Sequence, residues 1–117
     1  MESKTVVATL AALAQDTRLA IYRLLVEAGA TGLSVGEIGA PLSIAPATLS
    51  FHLKELAHAG LVTARQEGRY VFYSANYAHM NAVMAFLNTN CCVADRGPAA
   101  SCCPPKRAAL PKRKETR

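Results

Sequence analysis

Residues 1–90 predict a mainly helical domain with one β-hairpin near its C-terminal end, and three observations carry that expectation. Apolar residues recur at helical spacing in five separate stretches. Two of those stretches are joined by a tight turn, with a capping motif opening the first and a proline opening the second. The pattern becomes alternating and β-rich only over 61–74. At 117 residues, 51% of them hydrophobic, the chain has room for one domain with a modest core. A domain this small gains by burying an apolar face against a second copy, so a homodimer is expected.

The elements follow in order. Residues 5–15 predict a first helix, with Val6, Leu10, Leu13 and Ala14 on its inner side. Asp16 or Thr17 caps a second helix over 17–28, ended by Gly29 and Gly32. Ser34-Val35-Gly36-Glu37 is a capping box: the Ser34 hydroxyl accepts from the Glu37 amide while Glu37 reaches back. It opens a third helix to about Leu42. Ser43-Ile44-Ala45 is the turn, and Pro46 starts a fourth helix over 46–59, stopped by Gly60. Leu61–Arg65 and Tyr70–Ser74 are strands joined by Gln66-Glu67-Gly68-Arg69. Asn76 caps a fifth helix through about Asn88, with Met80, Val83, Met84 and Leu87 along one face. The order α-α-α-α-β-β-α is that of a winged helix-turn-helix.

Chemistry is concentrated beyond these elements. The four cysteines form two adjacent pairs, Cys91-Cys92 and Cys102-Cys103, and residues 1–90 contain none. Thiolates bind soft ions, and four within a short segment let one ion gather several ligands. One domain and two further segments are therefore expected: 1–90 for DNA binding and dimerisation, 91–103 as a cysteine-rich segment for a soft ion, and 104–117 as a basic disordered tail. The tail carries six Lys or Arg against Glu115, which accounts for the whole net charge of +5. Such a tail attracts polyanions without regard to sequence.

No run of 18 apolar residues is present, so no membrane span is expected. Residues 6–14 resemble a short signal segment, but Glu2 precedes them and the pattern runs on into a second amphipathic stretch. A cytoplasmic protein with reduced thiols is the expectation. No phosphate-binding glycine loop and no Ser/His/Asp arrangement is visible, which disfavours an enzyme.

Three stretches resemble the ArsR/SmtB family of bacterial winged-helix metalloregulators: LAALAQDTRLAIYRLL over 10–25, ATLSFHLKELAHAGLV over 47–62, and Glu67-Gly68-Arg69. The likeness extends over about residues 5–90. It implies a homodimer paired through the first and last helices, with the fourth helix in the major groove of operator double-stranded DNA. Metal binding would then release that DNA.

Leu49, Leu53 and Leu56 hold the fourth helix on the core, so Thr48, Ser50, Phe51, His52, Lys54 and Glu55 are expected to face outward. The candidate DNA-contacting residues are Pro46, Ala47, Thr48, Ser50, His52, Arg65 and Arg69, the two arginines flanking the bend of the wing. The sequence departs from the family at Ala45-Pro46, where a Ser-Gln pair is common, so base reading by that Gln is absent.

The family's metal sites are matched only in part. Its arsenic site on the third helix needs cysteines, whereas this helix reads SVGEIGAPL. Its zinc site across the fifth helices needs Asp/His and His/Glu, and only His79 is present. A subgroup of arsenic-responsive members carries a Cys-Cys pair at the end of the fifth helix with another cysteine soon after, as here. That likeness implies As(III), or Sb(III), held by Cys91, Cys92 and Cys102, with Cys103 as alternate or spare. No organic cofactor is implied. A four-thiolate Zn, Cd or Pb site and a thiol redox switch remain the alternatives.

Overall fold

The computed structural model describes residues 1–94. Cys102, Cys103 and the basic tail lie outside the described residues. Residues Met1–Leu87 form one compact unit, and the described residues from Asn88 onward lie outside it.

Five helices and a small antiparallel sheet build this unit. They run α1 (Ser3–Leu13), α2 (Asp16–Ala28), β1 (Leu33–Ser34), α3 (Val35–Leu42), α4 (Pro46–His58), β2 (Val62–Glu67), β3 (Tyr70–Ala75) and α5 (Tyr77–Asn88). The fold is the expected winged helix-turn-helix. Ile21 and Leu25 from α2, Ile38 from α3, Leu49, Leu53 and Leu56 from α4, and Leu61 are almost wholly buried in one cluster. Burying a leucine-sized side chain is worth about 1.5–3 kcal/mol, so this cluster is the main force fixing α4 against α2 and α3.

Local chemistry accounts for the helix ends. The capping box is present, with the Glu37 amide donating to Ser34 Oγ (3.3 Å) and the Ser34 amide donating to Glu37 Oε1 (2.9 Å). Pro46 occupies the first turn of α4, where a missing N–H costs nothing. Asn76 Oδ1 accepts from the His79 amide (3.2 Å) at the start of α5. The cap of α2 differs from expectation. Gln15, in extended conformation, accepts from the Arg18 amide through Oε1 (2.8 Å), so the helix begins at Asp16 without an Asp or Thr cap.

The sheet order is β1-β3-β2. β2 pairs with β3 from Val62↔Ala75 to Glu67↔Tyr70, leaving only Gly68-Arg69 as the loop of the wing. Gln66 and Glu67, expected in the turn, instead complete the ladder. β1 adds a third strand through Leu33↔Tyr73 and Ser34↔Phe72. At the base of the hairpin the Asn76 amide donates to Leu61 O (2.8 Å), closing the wing onto the end of α4.

α1 and α5 are tied to this frame by polar contacts. Thr9 is fully buried, and its Oγ1 lies 2.8 Å from His79 Nε2 and 2.9 Å from Thr5 O. With Thr9 donating to Thr5 O, the His79 Nε2–H donates to Thr9, and both polar groups are satisfied. The His79 ring rests on Gly60, where a Cβ would come within 2.9 Å of it. The Tyr77 hydroxyl donates to Val26 O (3.0 Å). By contrast Val7 and Leu10 on α1, and Met84 and Leu87 on α5, are exposed.

Candidate nucleic-acid interface and thiol pair

α3, the turn 43–45 and α4 form the helix-turn-helix. Ser43 adopts a left-handed conformation (φ 55°) and Ala45 an extended one, which together turn the chain between the helices. Leu49, Leu53 and Leu56 face the core, and Pro46, Ala47, Thr48, Ser50, Phe51, Lys54 and Glu55 are exposed as expected.

His52 departs from the sequence expectation. It is 8% exposed and faces inward. Arg18 donates through Nη1 to His52 Nδ1 (3.2 Å) and through Nε to Ala12 O (2.7 Å). A guanidinium can only donate, so Nδ1 accepts. The His52 side chain therefore fastens α4 to α2 and α1 and is not presented to a ligand. The spacing from Leu49 and Leu53 was compatible with either face, and the deciding partner, Arg18, lies 34 residues away.

The wing arginines also differ from each other. Arg65 Nε donates to Glu67 Oε2 (2.6 Å), Nη2 donates to Thr31 O (3.0 Å), and the guanidinium lies over the Phe72 ring at 5.2 Å. It is engaged on three sides and anchors the wing to the turn after α2. Arg69 is exposed at the loop of the wing.

At the other end of the chain, Asn90 and Cys92 both take left-handed conformations (φ 60° each) just after α5. The Cys91 amide donates to Asn88 O (3.1 Å) and the Val93 amide to Asn90 O (3.1 Å). The Cys91 and Cys92 Sγ atoms are 3.5 Å apart, far beyond the about 2.05 Å of an S–S bond, so the adjacent pair is not linked to itself. Metal–sulfur bonds of about 2.3 Å would let one ion touch both across that gap. Among the described residues no three His, Cys, Asp or Glu side chains converge on a common point. Two of the four predicted thiols, Cys102 and Cys103, lie outside that range. His79 is committed to Thr9. Burial, with a smaller contribution from nearby Tyr77, raises the pKa of Tyr22, which therefore stays protonated at neutral pH.

Known proteins agree with this geometry. Residues 13–65 match a family described as a helix-turn-helix domain. An ArsR-like transcriptional regulator from Rhodococcus sp. RHA1 is 26% identical, with a TM-score of 0.67 over 80% of this chain and 85% of that one. A putative arsenical resistance operon repressor, ArsR, from Halobacterium salinarum is 40% identical over 70% of this chain and 62% of its own length. The transcriptional activator HlyU from Vibrio cholerae is 34% identical over 80% of this chain and 84% of its own length. The chain belongs to the ArsR/SmtB family.

As an ArsR/SmtB protein the chain is a transcriptional regulator of the winged helix-turn-helix type, the class of its relatives. Among the described residues no helix is long and apolar enough to cross a membrane. Sequence reasoning missed the Arg18–His52 and Thr9–His79 contacts. The one signal for them was polar residues within otherwise apolar helical faces, which in a buried setting demands partners.

Proposed function

We propose that this chain is a homodimeric repressor of an arsenic-resistance operon, held on operator DNA by α4 and the wing and released by As(III) or Sb(III). The ligands are Cys91, Cys92 and Cys102, with Cys103 as the alternate third thiolate. The observation that carries the reading is the close Cys91–Cys92 pair directly following α5 in an ArsR/SmtB regulator. As(III) takes three sulfurs in a pyramid, its lone pair filling the fourth direction. Zn(II) prefers four ligands in a tetrahedron. The printed name of the Halobacterium relative supports the arsenic reading. The exposed Val7, Leu10, Met84 and Leu87 support a dimer, since apolar surface on the first and last helices is what a second copy would cover.

On the DNA side, Pro46, Ala47, Thr48 and Ser50 on α4 and Arg69 on the wing are the contacts. His52 and Arg65 act through position. Arg69→Ala is expected to lower the slope of log affinity against log salt by about 1, the signature of one lost phosphate contact. Arg65→Ala is expected to weaken binding with the slope unchanged, because its charge is already matched by Glu67. Fluorescence anisotropy on duplex DNA over a series of salt concentrations separates the two.

A thiol redox switch is the second reading, since the same cysteines can form disulfides instead of holding an ion. Anisotropy of the reduced full chain on DNA from upstream of its own gene decides between them. Release by As(III) but not by Zn(II) or a mild oxidant is the expected result. Release by Zn(II) or Cd(II) points to a four-thiolate site, and release by oxidant alone to a redox sensor. Absence of DNA binding in every condition would contradict the operator reading.

A further inference from the structure

We infer that α4 reads the methyl groups of thymine, with Phe51 as the principal contact and Thr48 and Ala47 beside it. The inference rests on the reading of α4 as the DNA-binding helix, and specifies what that helix recognises.

The composition of the helix narrows the chemistry. Arg and Lys recognise guanine, and Asn and Gln recognise adenine, through paired hydrogen bonds. α4, PATLSFHLKELAH, contains no Arg, Asn or Gln, and its one lysine, Lys54, lies beyond the first two turns. Of its two histidines, His52 is buried against Arg18, and His58 is in the last turn. The first two turns therefore expose Pro46, Ala47, Thr48, Ser50 and Phe51, a surface of methyls, one ring and two hydroxyls. The thymine C5-methyl is the apolar feature of the major groove, and Ala, the Thr methyl and Phe are the side chains suited to it. Lys54 and Glu55 follow one turn later and carry the polar contacts.

Phe51 is also held in place. It is 56% exposed, and its ring meets that of His52 edge-on, with centroids 5.4 Å apart at 63°. His52 is in turn bonded to Arg18, and Arg18 to Ala12 O. An aromatic side chain pre-set by a buried hydrogen-bonded neighbour loses less freedom on binding than a mobile one. The Arg18–His52 contact, which takes His52 out of the interface, thus supports the residue that occupies it.

The test uses the reduced full chain and a pool of random duplexes, from which bound sequences are selected. The enriched duplex is then made again with deoxyuridine in place of thymidine, which removes the methyl and keeps the base pair. Expected results are half-sites containing thymine, and affinity lowered about fourfold for each buried methyl, or about fifteenfold across two half-sites with one each. Phe51→Ala should bind the thymine duplex about as weakly as the unaltered chain binds the uracil duplex, and should barely distinguish the two. Phe51→Leu, which keeps an apolar side chain, should retain part of the discrimination, and equal melting temperatures confirm that the variants fold. Equal affinity of the unaltered chain for both duplexes, or full discrimination by Phe51→Ala, overturns methyl reading and leaves the repressor intact. Failure to enrich any sequence overturns both.

Discussion

Gly32→Ala is expected to lower the Tm of the domain by about 10 °C or more, the largest stability change anticipated here. Gly32 has φ +77°, in the left-handed region where an alanine costs about 1–2 kcal/mol. A Cβ there would also overlap the Tyr73 carbonyl oxygen and approach Ser74 Cβ to 3.3 Å. Tyr73 belongs to β3, the central strand, and pairs with Leu33 immediately after the glycine. The obstacle is backbone, so relief requires β1 to part from β3, and overpacking of this kind adds about 1–3 kcal/mol. At about 4–8 °C per kcal/mol for a domain of this size, the two costs together correspond to about 8 °C at the least and to well over 10 °C at mid-range. Gly36→Ala is the control. It lies in α3 with nothing within 4 Å of a Cβ, and should leave Tm unchanged or raise it slightly. Thermal unfolding followed by circular dichroism reads both.

Cys91→Ser and Cys92→Ser are each expected to bind operator DNA like the unaltered chain and to require at least about a hundredfold more As(III) for release. A serine hydroxyl is neither ionised at neutral pH nor soft, so it cannot replace a thiolate on As(III). DNA affinity should survive because α4 and the wing belong to the unit Met1–Leu87, whereas the cysteines begin after it. A hundredfold change in release corresponds to about 2.7 kcal/mol of differential binding, within the range of allosteric couplings. Anisotropy titrations of each variant read both quantities. Loss of DNA binding in either serine variant would mean that the cysteines support the fold and not the response. The same measurement on Cys102→Ser and Cys103→Ser identifies the third ligand.

The parts of this molecule that were legible in the sequence are those governed by neighbours along the chain. Ser34 and Glu37 announce a helix start because their reciprocal bonds span three residues, and Pro46 announces another because its fixed φ and missing N–H suit the first helical turn. The alternation over 61–74 announces the wing. Features set by distant partners were not legible. β1 is two residues long and exists because β3 offers an edge, so it has no period of its own. One local feature was also missed: Gln15 rather than Asp16 or Thr17 caps α2, its side chain folding back onto the Arg18 amide three residues on. Helix α1 was expected to turn Val6, Leu10, Leu13 and Ala14 inward. Val6 is buried and Leu13 packs half-buried against the core, but Thr9 is the other buried residue, Leu10 is 44% exposed and Ala14 is exposed. A helix apolar on most sides has two faces to cover, and the pattern alone does not say which meets its own core. His79 decides it, by satisfying the Thr9 hydroxyl from α5.

At the site the same division holds. Thr48, Ser50 and Phe51 point outward as their spacing from the core leucines requires. His52 and Arg65, chosen as contacts on residue type and position, are held by Arg18 in one case and by Glu67 and Thr31 in the other. Each is polar and near the expected interface, and only the fold reveals that it is already bonded to a distant or cross-strand partner.

In the proposed mechanism thiol ligation and operator binding compete through one free-energy coupling, which must be reciprocal. The affinity of the reduced full chain for As(III), determined free and again when saturated with operator duplex, measures it. DNA is expected to weaken As(III) binding by the same factor, about a hundredfold, by which As(III) weakens DNA binding. Equal As(III) affinity in the two states would show that the cysteines bind arsenic without controlling the operator, and would overturn the arsenic-released repressor.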